Sequence, residues 1–154
     1  MKGKVRTLVL NEGDATFENT AGTDVVFSNV DDLFVDDDTE MYEIELVSYS
    51  VSINSDTAQG LAIVCPTLLQ PYSWDTKRGG SSQVIGLVNG TRTSATQKVL
   101  DNSNAGTSFK VIVKRPSGNQ LQIRLENSFN RPALLTNVDN DWTLVFEVKP
   151  YKDC

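Results

Sequence analysis

The sequence predicts an all-β fold, a single jelly-roll β-sandwich of about eight antiparallel strands. Val and Thr together number 31 against 7 Ala, and β-branched residues favour strands whereas Ala favours helices. Ser, Thr, Asn and Asp cluster between the apolar runs, where they favour turns. The sequence also lacks any long window with the apolar stripe of an amphipathic helix. These three observations together favour strands joined by polar loops.

Individual strands are predicted from short apolar runs and from alternation with a period of two. The predicted strands cover residues 5–10, 25–27, 42–53, 61–65, 84–88, 97–100, 109–114, 121–126 and 142–149. The wholly apolar run 61–65 suits a strand that is buried on both faces. In the long segment 42–53 the apolar phase changes at Leu46–Val47, which predicts a β-bulge or a strand that passes from one packing partner to another.

Turns and loops follow from the residues between these strands. Residues 115–119 contain Pro and then Gly in turn order and predict a hairpin, and Asn89–Gly90 predicts a second hairpin. Longer loops are expected at 11–24, 29–41, 66–82 and 126–141. No linker or repeat divides the chain, so residues 1–154 are expected to form one domain with short arms at its ends.

The composition excludes several classes of function. There is no His, which excludes Ser-His-Asp catalysis and His-ligated zinc, and the two cysteines, Cys65 and Cys154, are too few for a four-cysteine zinc site. The formal net charge of −6 argues against a protein that coats nucleic acid. The longest apolar run, residues 61–65, is far short of a membrane-spanning helix, and no signal peptide is apparent, so an intracellular folding compartment is expected.

An acidic segment, residues 31–40, contains the consecutive carboxylates Asp36, Asp37 and Asp38. Such a cluster can bind Ca²⁺, but its spacing does not match an EF-hand loop and we predict no metal site. The alternatives are a solvated loop that its like charges keep extended, or a docking surface for a basic partner.

The loop at 71–80 combines two aromatic residues, Tyr72 and Trp74, with the basic pair Lys77 and Arg78. Exposed aromatic residues in a polar loop are typical of a protein interface, and they can also stack on sugar rings. The alternative is that they fold back and cover one end of the sandwich. The glycines beside the basic pair resemble half of a phosphate-binding loop, but the full motif is absent.

Catalysis has no marker in the sequence. Asp and Glu number 20, so some pair could always lie at glycosidase spacing, but nothing distinguishes a particular pair. The serine-elbow pattern G-x-S-x-G is absent. We therefore predict a protein without catalytic activity and without a cofactor.

The order of strands and loops over residues 42–149 resembles that of the penton (vertex) and minor capsid proteins of large icosahedral double-stranded DNA viruses and their relatives. The resemblance is carried by the long strand 42–51, the apolar strand 61–65, the loop 70–77, the strand 84–88, and the final strands 121–127 and 142–148. It implies a single jelly roll in the virion that assembles through protein contacts. The expected partners are copies of itself in a pentamer and the neighbouring capsid proteins, with no direct binding to nucleic acid and no membrane insertion.

The interface residues predicted on this basis are Asp36, Asp37, Asp38, Tyr72, Trp74, Lys77 and Arg78. The acidic segment and the basic loop tip could pair between neighbouring subunits, which would set their register. The main alternative is a carbohydrate-binding jelly-roll module, such as a lectin-like or fibre domain. A β-sandwich glycosidase or lyase ranks third.

Overall fold

The structure is a computed structural model of the chain. It describes residues 5–30, 33–34, 40–53, 60–76, 80–89, 91–92, 98–101, 109–116, 118–127, 134–135, 138 and 142–151. Asp36, Asp37, Asp38, Lys77 and Arg78, five of the seven predicted interface residues, lie outside the described residues.

The described residues form strands and one short 3-10 turn, Glu12–Asp14, with no α-helix among them. Eight strands build the body of the molecule, and each of them is five or more residues long. They are β1 (Arg6–Asn11), β3 (Asp24–Ser28), β4 (Met41–Ile53), β5 (Gly60–Val64), β8 (Val84–Asn89), β11 (Phe109–Lys114), β12 (Gln120–Asn127) and β13 (Thr143–Pro150). The others are β2 (Thr16–Phe17), β6 (Trp74–Asp75), β7 (Gly80–Ser81), β9 (Thr91–Arg92) and β10 (Lys98–Asp101).

The strands form two antiparallel sheets whose order is that of a jelly roll. Sheet A has the order β1-β13-β4-β10-β9, with β11 also paired to β4, and sheet B has the order β2-β3-β12-β5-β8. Among the eight main strands the first pairs with the last, β3 with β12, β4 with β11, and β5 with β8. This nested pairing is the result of rolling one long antiparallel hairpin into a sandwich, so the predicted fold is confirmed.

The predicted irregularity in the long strand is also confirmed. Leu46 of β4 pairs with Phe146, but Ser48 pairs with Val145, so Val47 is the extra residue of a β-bulge. Tyr42, Ile44 and Leu46 are buried before the bulge and Tyr49 and Val51 after it. Beyond the bulge β4 also changes its partner, because its first half pairs with β11 and its last residues with β10.

The core lies between the two sheets. Its largest buried side chains include Trp142, Tyr42 and Phe146, and the Trp142 indole N–H donates to the Gly22 carbonyl over 3.0 Å. Every residue of the apolar run 61–65 is buried, which confirms that this strand is covered on both faces. Where β8 faces the core, Gly86 allows the close approach of Ile63 and Leu46.

Both predicted hairpins are wrong. The Asn89–Gly90 turn was expected to close a hairpin, but β8 belongs to sheet B whereas β9, which follows it, pairs with β10 in sheet A. The chain therefore crosses between the sheets here, because an Asn-Gly pair favours a tight change of direction without deciding which strand comes next. The hairpin predicted at 115–119 is wrong for the same reason, because this segment joins β11, which pairs with β4 in sheet A, to β12, which pairs with β3 and β5 in sheet B.

Candidate assembly surface

The loop between β5 and β8, residues 65–83, carries the exposed aromatic residues and is called here the aromatic loop. It is fixed to the sandwich by alternating buried residues. Leu68 and Gln70 are each 1% exposed, and the Gln70 side-chain amide donates to the Val84 carbonyl over 2.8 Å. The Leu69 carbonyl accepts a hydrogen bond from the Lys114 N–H, also over 2.8 Å. These anchors hold the aromatic loop against both sheets.

The middle of the aromatic loop is held by a small sheet of its own. Trp74 pairs with Ser81 and Asp75 with Gly80 in the β6–β7 ladder, and the Ser82 N–H donates to the Ser73 carbonyl over 3.0 Å. A two-stranded ladder fixes the backbone on either side of Trp74. The Trp74 indole is therefore attached to a backbone segment that strand pairing holds in place.

Three large side chains of the aromatic loop point into solvent. Leu69 is 62% exposed, Tyr72 is 65% exposed and Trp74 is 73% exposed. This finding overturns the alternative in which Tyr72 and Trp74 fold back to cover the end of the sandwich. Exposed apolar surface of this kind is unfavourable in water and is typical of sites that bind another molecule.

A groove of about 500 Å³, which Leu69 helps to line, lies between the aromatic loop and the segment that connects β11 to β12. Pro66 and Leu69 line one side, and Pro116 lines the other with Asn119 and Gln120. Leu69 thus belongs both to the exposed apolar set and to the groove. We call the groove together with Leu69, Tyr72 and Trp74 the aromatic end.

The fold also brings the end of the acidic segment close to this surface. The Arg115 N–H, at the start of the β11–β12 turn, donates to the Glu40 carbonyl over 2.7 Å, and the preceding Lys114 N–H donates to Leu69. Glu40 is the last residue of the acidic segment, so two adjacent peptide groups hold the ends of both loops. Phe34, also of this segment, packs edge-on against Tyr42 with the ring centroids 5.0 Å apart.

Other charged side chains pair within the chain on the outer sheet faces. On sheet A, the Lys110 ammonium lies 3.7 Å from a Glu43 oxygen and 3.5 Å from a Glu45 oxygen, and Lys149 lies 3.5 Å from Glu43. Both lysines are about half exposed, so these contacts contribute little to stability.

The ionic cluster on sheet B is more buried. The Arg124 guanidinium lies 3.4 Å from Asp24 and 3.2 Å from Glu126, whose side chains are 14% and 9% exposed. The Gln122 amide also donates to Asp24 over 2.8 Å. Because each carboxylate has a partner, the cluster is a structural element of sheet B.

The described residues also bear on metal binding and on the reactivity of a thiol. In that part of the chain, no group of three or more Cys, Asp or Glu side chains could hold a metal ion. Burial raises the pKa of the Cys65 thiol to about 11, so it carries little of the reactive thiolate form. The described segments contain no helix long and apolar enough to cross a membrane.

Comparison with known proteins gives only remote structural similarity. No protein-family model and no curated protein matches the chain. The cleaved adhesin domain of Lys-gingipain from Porphyromonas gingivalis is 10% identical, with a TM-score of 0.24 over 97% of this chain and 99% of that chain. A structure of infectious bursal disease virus, strain Gx, is 14% identical, with a TM-score of 0.18 over 95% of this chain and 39% of that chain. The fold assignment therefore rests on the strand pairing described above.

Of the seven predicted interface residues, the structure describes Tyr72 and Trp74 and places both at the surface. Sequence reasoning missed Leu69 and the groove. Leu69 stands beside Leu68, and two adjacent leucines give no sign of which one is buried. The groove depends on residues from two loops that the sequence separates by about fifty positions, as Leu69 and Gln120 show.

Proposed function

We propose that this chain is a structural capsid protein that assembles through its aromatic end, as the penton of an icosahedral shell. The observation that carries the proposal is a jelly roll that presents Leu69, Tyr72 and Trp74 from an anchored loop. Protein interfaces are enriched in Tyr and Trp, and such residues often supply most of the binding energy. The penton position follows from the resemblance of the strands and loops to that family.

A five-fold ring needs a heterologous contact, in which two different patches of one subunit meet its two neighbours. The aromatic end supplies the first patch. The second patch contains the carboxylates Asp36–Asp38, and their pairing with Lys77–Arg78 on the aromatic loop of the next subunit would set the register of the contact. Such pairs contribute more to orientation and association rate than to affinity.

The test is native mass spectrometry of the purified chain over a concentration series, with Trp74→Ala and Tyr72→Ala as variants. The expected result is a pentamer whose dissociation constant rises at least about tenfold in each variant. Phe17→Ala is the matched control, because Phe17 is an exposed aromatic residue on β2, outside the aromatic end, with 42% of its surface exposed. A pentamer that both variants leave unchanged would contradict the assignment of the contact to the aromatic end.

Charge reversal tests the second patch separately. Replacing Asp36, Asp37 and Asp38 with Lys is expected to weaken assembly without changing the thermal unfolding of the subunit. Added salt should weaken the unmodified assembly in the same direction, because it screens exposed charges. Assembly that responds to neither change would leave the acidic segment without the proposed role.

A carbohydrate-binding module is the second candidate, and the exposure of Tyr72 and Trp74 on a loop that also lines a polar-rimmed groove favours it. Aromatic faces can stack on sugar rings, while Asn119 and Gln120 offer hydrogen-bonding groups in the groove. A glycan array followed by tryptophan fluorescence titration tests this candidate. Binding by a monomer that Trp74→Ala abolishes would replace the capsid proposal, and an array without binding would count against the module.

A further inference from the structure

A second cleft, of about 430 Å³, runs along the outer edge of β1. One wall contains the consecutive residues 6–10 of this strand and then Asp14, and the other contains residues 27–30 and Leu33. Side chains of a strand alternate between its two faces, so a cleft against one face would contact every second residue. Contact with five consecutive residues means that the cleft follows the backbone edge of β1.

This edge has no neighbouring strand in the described part of the chain, where β1 pairs with β13 alone. Proteins usually protect such edges with charged residues or Pro, because unpaired N–H and C=O groups invite another strand. Here the side chains on the solvent face are Val5, Thr7 and Val9, all uncharged and β-branched. Val5 is 49% exposed and Val9 is 51% exposed. The edge of β1 is thus suited to pairing.

We propose that the edge of β1 pairs antiparallel with the same edge of a second copy of this chain, about a two-fold axis centred on Leu8. In this register Leu8 lies opposite Leu8 of the second copy, and Thr7 lies opposite Val9. Leu8 is half-buried in a cleft that the apolar residues Leu10 and Phe27 also line. Leu8 of the second copy would enter this apolar cleft. The contact would join the two copies of sheet A into one continuous sheet.

The charges at the two ends of the cleft favour an antiparallel second copy over other occupants. Arg6 begins β1, whereas Asp14 follows the end of β1, and both line the cleft. Antiparallel pairing brings Arg6 of each copy to the Asp14 end of the other, so the complementarity occurs twice. A parallel arrangement would instead place like charges at the same end.

The proposal does not depend on the proposed function. β1 and β3 lie at one edge of the sandwich, whereas the aromatic loop joins β5 to β8 at the other edge of sheet B. A two-fold contact is also isologous, unlike the contacts of a five-fold ring. Trp74→Ala should therefore leave the β1 contact intact, which separates the failure of one proposal from the failure of the other.

Disulfide trapping tests the register directly. Leu8→Cys is made in a Cys154→Ser background, where the remaining native thiol, Cys65, is buried. Directly opposed residues of an antiparallel pair lie about 4.5–5.5 Å apart between Cα atoms, within disulfide reach. The expected result is a covalent dimer under mild oxidation, at concentrations where native mass spectrometry shows the dimer. Val9→Cys is the matched control, because its counterpart lies diagonally at about 7–8 Å and should cross-link far less.

The proposal is overturned if the Leu8→Cys variant folds, its introduced thiol reacts with a soluble thiol reagent, and no covalent dimer forms. Cross-linking at Val9→Cys but not at Leu8→Cys overturns it equally, since the register is then different. Asp14→Lys should weaken the dimer about tenfold and the added change Arg6→Asp should restore it, whereas no effect of either change contradicts the charge argument. Val9→Lys should block pairing, while Leu87→Lys, at an exposed position on β8, should not.

Discussion

Gly86 is the position where a single added methyl group tests how tightly the core packs on β8, against Ile63 of the neighbouring strand β5 and Leu46 of the opposite sheet. A Cβ atom there would lie 2.8 Å from Ile63 Cδ1 and 3.1 Å from Leu46 Cδ2. Carbon atoms in contact are normally about 3.5–4.0 Å apart, so the overlap with Ile63 approaches about 1 Å. Both side chains are buried, and moving them disturbs their neighbours. Gly86→Ala is therefore expected to lower the free energy of unfolding by about 1–3 kcal/mol.

A second substitution shows whether this overlap is the cause. Ile63→Val removes Cδ1 and alone should cost about 0.5–1.5 kcal/mol, because it leaves a small cavity. In the double variant the methyl group added at position 86 occupies part of that cavity and the closest overlap is gone. The loss in the double variant should thus be smaller than the sum of the single losses by about 1 kcal/mol or more.

Urea denaturation followed by tryptophan fluorescence measures the four free energies of this cycle. Gly13→Ala is the control, since a Cβ atom at that position would have no heavy atom within 4 Å, and the stability of this variant should be unchanged or slightly higher. Additive losses in the double variant would refute the overlap as the cause. A Gly86→Ala variant as stable as the control would refute the tight packing of Ile63 and Leu46 on Gly86.

Three further predictions concern stability. Burial raises the pKa of Cys65 from 9.0 to about 11, so the folded protein keeps a proton that the unfolded chain loses. The free energy of unfolding should fall by up to about 3 kcal/mol between pH 9 and 11, and denaturation of Cys65→Ala should lack this component. Arg124→Ala, which removes the cation shared by the buried Glu126 and the half-buried Asp24, should cost about 1–3 kcal/mol in denaturant, against at most about 1 kcal/mol for the exposed Lys110→Ala. Deletion of Val47 removes only the bulge residue, so this variant should still unfold in a cooperative thermal transition measured by circular dichroism. Deletion of Glu45 turns the side chains of one half of β4 to the opposite face of the sheet and should abolish that cooperative transition.

The strands could be predicted because their signals are local. Each of the nine predicted strands overlaps an observed strand. Even the bulge in β4 could be located, since one extra residue within a strand moves the following apolar side chains into the opposite phase of the sequence. The two-residue strands β2, β6, β7 and β9 were missed. Their pairing depends on partners distant in sequence, and two residues are too few to show alternation.

The surface could be predicted only in part. Tyr72 and Trp74 were recognisable as aromatic residues in a polar loop, but their exposure depends on Leu68 and Gln70 filling the space beneath the aromatic loop. The cleft beside β1 had no signal at all, because it arises where the edges of two sheets meet. The sheet that the strand after Asn89 joins could not be predicted either, since the partner of a strand is decided by the whole fold.

The central position of β13 has a consequence for the order in which the molecule can form. This strand is the last of the described strands, yet it lies between β1 and β4, and no other described strand joins those two. Until β13 has been synthesised sheet A therefore remains in separate parts, and the apolar residues Leu10, Ile44 and Leu46 lack their neighbouring strand. Pairs so distant in sequence also form slowly. We expect the nascent chain to depend on chaperones that hold exposed apolar strands until β13 can pair, and truncation before Thr143 to leave an insoluble product.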